Sequence, residues 1–267
     1  MSSVAVSARS LLKAVAYGSP LGPYLQTWWQ RRQCVQRLSS WTPADEVALR
    51  FYAQFIGPGD ICFDVGANHG VRTKIFRRLA AKVIAVEPQR SCTAILDSAY
   101  AGDPKVYVVS AACGAVPGNG VIRISDEDVL SSLSEEWISA VKHSGRFGVG
   151  SWAREEPCVL VTLDDLIQTY GKPSFIKIDV EGYELHVLKG LTQAVPCLSF
   201  EFTPERLEAA VACADHLCSL GLAQFNLSWG ETFTLFLDSW IGRTELVTLL
   251  QRYREDNVIF ADIYARQ

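Results

Sequence analysis

The stretch Asp64-Val65-Gly66-Ala67-Asn68-His69-Gly70 sets an acid, two glycines and an asparagine at a spacing that could hold a bulky cofactor. Glycine at 66 and 70 permits a tight turn and a close backbone approach where a strand hands over to a helix. A dinucleotide site calls for G-x-G-x-x-G. Here Asn68 stands at the third position and Val71 at the sixth, so that fingerprint fails. A second acid, Glu87, followed by Pro88, ends the next apolar run. A carboxylate there could accept two hydrogen bonds from adjacent ribose hydroxyls. Asp64 and Glu87 are both expected to face a crevice rather than the core.

A third constellation lies in Ile176-Lys177-Ile178-Asp179-Val180-Glu181-Gly182-Tyr183-Glu184. Asp179 and Glu181 fall at the carboxyl end of a central strand, and strand alternation puts Lys177 on the face of Asp179. A charge inside a central strand is unusual unless paired, so Lys177 is expected to pair with an acid such as Asp179 or Glu201. Such a pair could serve chemistry or merely order the strand end. Of the histidines, His69 lies in the turn and His143 in a long loop, while His186 and His216 read as helix-face residues. None of them has metal-ligand spacing.

The elements that must position these groups follow a βα rhythm. Apolar runs predict strands at Ile61–Val65, Val83–Glu87, Val106–Val109, Phe175–Asp179 and Leu198–Phe202. Helical segments are expected at Asp45–Phe55, Thr73–Ala81, Arg90–Tyr100, Glu184–Leu191 and Pro204–Leu220. Near-continuous apolar strands alternating with helices predict an α/β fold, a mostly parallel Rossmann-like sheet with helices on both faces. Gln224–Ser228 and Val258–Tyr264 are expected to add antiparallel strands near the C-terminus.

An excursion over residues 113–174 exceeds what the rhythm needs, and long loops of this kind are usually functional. It holds strands at Val121–Ile124 and Cys158–Thr162, the tract Leu130-Ser131-Ser132-Leu133, and the glycine-rich loop His143–Ser151. Thr162 can cap the following helix, with Asp165 three residues on favouring its dipole.

With the strand context in place, the acid-x-Gly-x-x-x-Gly turn resembles that of class I methyltransferases. Asn68 at its centre makes it similar to the FkbM-type family in particular. Residues 176–184 resemble that family's fourth-strand motif, Thr162-Leu163-Asp164-Asp165-Leu166 the segment before it, and Leu130–Leu133 an element between the third and fourth strands. The resemblance covers roughly residues 45–265. It implies S-adenosylmethionine as cofactor, held by Asp64, Gly66, Asn68, Gly70, Glu87 and Pro88. It also implies O-methylation of a sugar or natural-product hydroxyl, with Asp179 and Glu181 as catalytic acids. A carboxylate base that removes the hydroxyl proton needs no metal, and none is expected. The alternative is a cation on Asp179, Glu181 and Glu201 acidifying the hydroxyl. Two other readings stay open: a nucleotide-dependent oxidoreductase or epimerase, against which the broken fingerprint speaks, and a catalytically silent cofactor-binding module.

Composition bounds the partners. With 49% hydrophobic and 20% charged residues among 267, the chain can bury a substantial core. A net charge of −4 gives no basic field for a phosphate backbone, so nucleic acid is not expected as a partner, whereas a small-molecule or glycan acceptor is. Eight cysteines at irregular spacings, without CxxC, read as free thiols in a reducing cytoplasm. No run approaches the roughly 18 apolar residues of a membrane helix. Residues 1–44 carry Arg9, Lys13, Arg31, Arg32 and Arg37 and no acid, a charge of +5 that leaves −9 for the rest. This N-terminal extension reads as a helix packed through Trp28 and Trp29, or as a targeting or membrane-surface segment. The methyltransferase domain is expected to span 45–267.

Overall fold

The computed structural model describes residues 22–267 apart from 80, 127, 147–150 and 257, with the side chains of 22–30 and 128 also left out. Arg9 and Lys13, the side chains of Trp28 and Trp29, and the middle of the glycine-rich loop thus lie outside the described residues. The chain divides into two compact units, one ending at Trp41 and the other running from Thr42 to Gln267. In the first, helix α1 (Gly22–Ser39) carries Arg31, Arg32 and Arg37 exposed.

The second unit is built on a seven-stranded sheet. Helix α2 (Pro43–Tyr52) opens it with Pro43 in its first turn and a reciprocal capping pair. The Asp45 N–H donates to Thr42 Oγ1 at 3.2 Å and the Thr42 N–H to Asp45 Oδ2 at 2.7 Å. Then follow β1 (Ile61–Val65), α3 (Val71–Arg78), β2 (Lys82–Val86), α4 (Arg90–Ala99) and β3 (Val106–Val109). The excursion contributes β4 (Ala112–Cys113), β5 (Gly118–Ile124), α5 (Glu135–Ser144), β6 (Arg154–Val161) and α6 (Leu163–Tyr170). The chain continues through β7 (Phe175–Ile178), α7 (Glu184–Lys189), β8 (Cys197–Phe202), α8 (Leu207–Ser219), β9 (Gln224–Trp229), α9 (Arg243–Gln251) and β10 (Ala261–Arg266).

The main sheet runs in the order β3-β2-β1-β7-β8-β10-β9. The first five strands in that order are parallel, and β10 is antiparallel to both β8 and β9. The expected parallel sheet with antiparallel additions is therefore present. Strand alternation sorts two cores. Phe63, Val65, Ile84, Val86, Ile176, Ile178 and Phe200 face α6, α7 and α8. Cys62, Val83, Phe175 and Tyr264 face α2 and α3, where Tyr52 meets Phe76 edge-on at 5.0 Å. Each fully buried apolar side chain contributes ~1.5–3 kcal/mol relative to exposure.

The excursion is a separate small sheet, β4-β6-β5, plus two helices. Its α5 and β4, and α9 beyond β9, were not expected from the sequence. The cap of α6 is as expected, with the Asp165 N–H donating to Thr162 Oγ1 at 3.0 Å and the Thr162 N–H to Asp165 Oδ2 at 2.9 Å. Among the described residues, no helix is long and apolar enough to cross a membrane.

Candidate active site

The sheet order reverses direction between β1 and β7, and open α/β sheets bind ligands beside such a switch, at the carboxyl ends of the strands. A cleft opens there, at the carboxyl ends of β1, β2 and β7. Its floor is the β1 turn and the end of β2, with Gly66, Asn68, Glu87 and Pro88 on its surface. One side is the segment Ala111–Cys113, the other Asp179, Val180, Glu181 and Tyr183. Ile122, Val129, Ser131 and Leu133 of the excursion border it as well.

The turn takes its shape from left-handed backbone at Gly66 (φ +81°), Asn68 (φ +47°) and Gly70 (φ +89°), tolerated by glycine and, more than by most side chains, by asparagine. At Gly66 the glycine serves a close approach of two strands, because a Cβ would sit 1.8 Å from the Asp179 carbonyl oxygen. Gly70 lies away from the cleft. Its missing Cβ leaves room for Leu96 of α4, which would be 2.5 Å away.

Glu87 is the central polar group. The Asn68 N–H donates to its Oε2 at 2.7 Å and the Gln89 N–H to its Oε1 at 2.8 Å. Burial pushes the carboxyl up to about 7 despite those two bonds. The Gln89 side chain is a third donor to it, and the carboxylate's remaining acceptor capacity can meet the hydroxyls of a vicinal diol. With the apolar Ala111, Ala112 and Ile122 at the same cleft, these groups fit a nucleoside carried on a ribose.

Asp64 departs from the expected orientation. It is 1% exposed, lies outside the cleft lining and accepts the Thr73 hydroxyl at 2.5 Å. Burial raises its carboxyl, opposed by the Thr73 bond and the charge of Lys177. Strand parity explains this: Asp64 shares the β1 face of Cys62, whereas the turn that meets the cleft begins two residues later.

Lys177, 2% exposed, bridges two carboxylates, Asp179 Oδ2 at 3.1 Å and Asp262 Oδ1 at 2.9 Å. Burial alone would lower its ammonium, yet the two anions hold it well above its ordinary value. Asp179 is thus the expected partner. Asp262 replaces the expected Glu201, because β10 sits next to β8 and lies within reach of a long side chain. Asp262 was the missed partner of Lys177, and its signal was the one that flagged Lys177: a charge inside a largely apolar strand.

Carboxylate oxygens of Asp179, Glu181 and Glu201 all come within 4.8 Å of one another. Burial, then the charge of neighbouring carboxylates, raises Glu181 and Glu201 well above the usual range. Glu184, whose carboxyl burial pushes up to about 7, accepts the Gly182 N–H at 3.0 Å and the Val180 N–H at 3.3 Å. The histidines take other places. His143 ends α5 beside a shallow surface groove with Glu135 and Glu205, His186 stacks on Tyr183 at 4.3 Å, and His216 Nε2 lies 3.0 Å from the Leu191 carbonyl.

A cleft at the switch point of such a sheet, with the buried acid Glu87 just past the end of β2, fits a class I methyltransferase architecture. The family model of the methyltransferase FkbM domain matches residues 64–221, more than half of the chain. The chain belongs to the FkbM methyltransferase family and is an S-adenosylmethionine-dependent methyltransferase. None of the curated proteins matches it in sequence. Among solved structures it is similar to precorrin-6y C5,15-methyltransferase from Geobacter metallireducens, at 10% identity over 84% of this chain and 87% of that one, TM-score 0.43. Fibrillarin from Aeropyrum pernix with natively bound S-adenosylmethionine gives 10% identity over 82% and 73%, TM-score 0.43. An S-adenosylmethionine-dependent O-methyltransferase from Thermotoga maritima gives 10% over 85% and 66%, TM-score 0.39.

Proposed function

We propose that this enzyme methylates a hydroxyl oxygen of a small molecule or glycan, with Glu181 as the base and Asp179 as the group that orients the acceptor. The observation that carries the reading is the meeting of Asp179, Glu181 and Glu201 at the edge of the cofactor cleft, with the Lys177 ammonium bonded to Asp179. In this reading Glu87 receives the ribose hydroxyls, Gly66, Asn68 and Pro88 shape the cleft around it, and Asp64 and Gly70 hold the turn from behind. S-adenosylmethionine supplies a methyl group made electrophilic by its sulfonium charge.

An alcohol is a poor nucleophile until its proton is removed. Once ionised, a carboxyl whose affinity for protons is raised by burial is a better acceptor for that proton than an ordinary one, and positioned proton transfer is typically worth ~10²–10⁴ in rate. Asp179, tied to Lys177 and 37% exposed along its side chain, is the accessible anion that can hold the hydroxyl in place. The proton passes to the Glu181 carboxylate, next to Glu201. The domain's acidic balance supports an acceptor without a phosphate backbone, and eight cysteines outside any disulfide support a reducing, cytoplasmic setting.

The test is mass spectrometry of an extract incubated with isotopically labelled S-adenosylmethionine, followed by assays of Asp179→Asn and Glu181→Gln on the labelled acceptor. Both variants should lose turnover far more than cofactor affinity, and label on nitrogen or carbon would refute O-methylation. The spacing of the three carboxylates favours one second reading, a divalent cation that acidifies the hydroxyl. Activity that survives a chelator supports the base; activity abolished by chelation and restored by magnesium supports the cation.

A further inference from the structure

Leu130-Ser131-Ser132-Leu133 is the motif whose purpose the cofactor cleft leaves unexplained. Ser131 accepts the Ser125 N–H at 3.1 Å and Leu133 borders the cleft, but Ser132 points elsewhere. Its hydroxyl donates to the Glu181 carbonyl oxygen at 2.6 Å and accepts the Ser134 N–H at 2.8 Å. Its backbone is bonded both ways to Arg123 of β5, at 2.9 and 3.1 Å. Ser134 in turn caps α5 by accepting the Trp137 N–H at 3.1 Å. That places the buried Trp137 against Gly182, where a Cβ would lie 2.3 Å from its side chain.

The gripped residues are the unusual ones. Glu181 has φ +52° and Gly182 φ +86°, two successive left-handed residues, the first carrying a side chain that this region disfavours. Such a conformation persists where surrounding contacts over-determine it. Ser132 and Trp137 act from the excursion side, and Glu184 takes the Val180 and Gly182 N–H groups from the other.

We infer that the Ser132–Trp137 segment is a positioning clamp that holds Glu181 in its left-handed conformation and so aims its carboxylate toward Asp179 and Glu201. The clamp rests on the reading of Glu181 as the base. Within that reading the excursion serves turnover directly, through a hydroxyl that touches neither cofactor nor acceptor, and Ser132 and Trp137 are positioning residues.

Ser132→Ala tests this in the full chain, with S-adenosylhomocysteine as the binding probe. Hydrogen exchange at residues 179–184 should quicken about tenfold or more while exchange at the cofactor turn, 64–70, stays as in wild type. Affinity for S-adenosylhomocysteine should hold within about twofold, and label transfer into the acceptor fraction should fall about 10–100-fold. Should Ser132→Ala not fold, Trp137→Phe, which trims the ring over Gly182, is expected to give the same pattern. Wild-type exchange at 179–184 overturns the clamp, as does a loss of cofactor affinity matching the loss of turnover. Quickened exchange together with wild-type turnover in Glu181→Gln leaves the clamp standing and overturns the role of Glu181 as base.

Discussion

Replacing Glu87 should weaken cofactor binding by an amount that depends on pH. Its carboxyl sits near 7 because burial outweighs the two backbone N–H groups that reach it. Two hydroxyl donors from a bound ribose would favour the ionised form. Returning the group from about 7 to its ordinary 4.5 is worth about 3 kcal/mol. That agrees with the ~1.5–3 kcal/mol of a hydrogen bond to a charged group, so Glu87→Ala should lose roughly tenfold to a hundredfold in affinity. The sign follows from the raised value. Below pH 7 the free enzyme holds a proton on Glu87 that binding must expel, so affinity falls by up to about tenfold per pH unit there and levels off above. Glu87→Gln cannot ionise, and it sets an amide donor against one of two backbone donors. Calorimetric titration of S-adenosylhomocysteine from pH 5.5 to 8.5 reads both effects: wild type should release protons on binding near pH 6, and Glu87→Gln should release fewer. Unchanged affinity in Glu87→Ala, or identical pH slopes for wild type and Glu87→Gln, refutes the assignment.

Gly182→Ala adds a Cβ against Trp137 at a left-handed position, which should cost ~2–5 kcal/mol and lower the melting midpoint by roughly 5–15 °C in calorimetry. Asp64→Ala leaves the buried Thr73 hydroxyl without its acceptor, so denaturant titration should show a loss of ~1–3 kcal/mol, with cofactor affinity falling less than in Glu87→Ala. Deleting residues 1–41 should leave a chain that is folded by circular dichroism and binds S-adenosylhomocysteine as the full chain does, since the cleft is built wholly from the second unit. A folded truncation that fails to bind would refute the independence of that unit.

What could be read along the chain was whatever a few neighbouring residues decide among themselves. Glycine at 66 and 70 permits a tight turn directly after an apolar run, and such a turn ends the strand whatever lies beside it. The Thr162–Asp165 cap was legible for the same reason, as were the five parallel strands and the Asp179–Gly182 strand end. Helix α9 carried a comparable local signal in Gly242 and Glu245, whose carboxylate takes the Gly242 N–H, and it was overlooked rather than hidden.

Direction and partnership were decided only in three dimensions. Asp64 and Glu87 look alike in sequence, two acids at strand ends. Asp64 is still inside its strand, on the face that packs against α3, and Glu87 lies one residue past its strand, where the cleft begins. Lys177 finds Asp262 because β10 returns antiparallel beside β8. Ser132 finds Glu181 because the excursion folds back over the end of β7. Local preference acts through backbone sterics and bonds of a few residues' reach, and it carries no information about which distant strand becomes a neighbour. That is settled by burying the apolar faces of all the strands at once, and the carboxylates of Asp179, Glu181 and Glu201 meet only as a consequence of it.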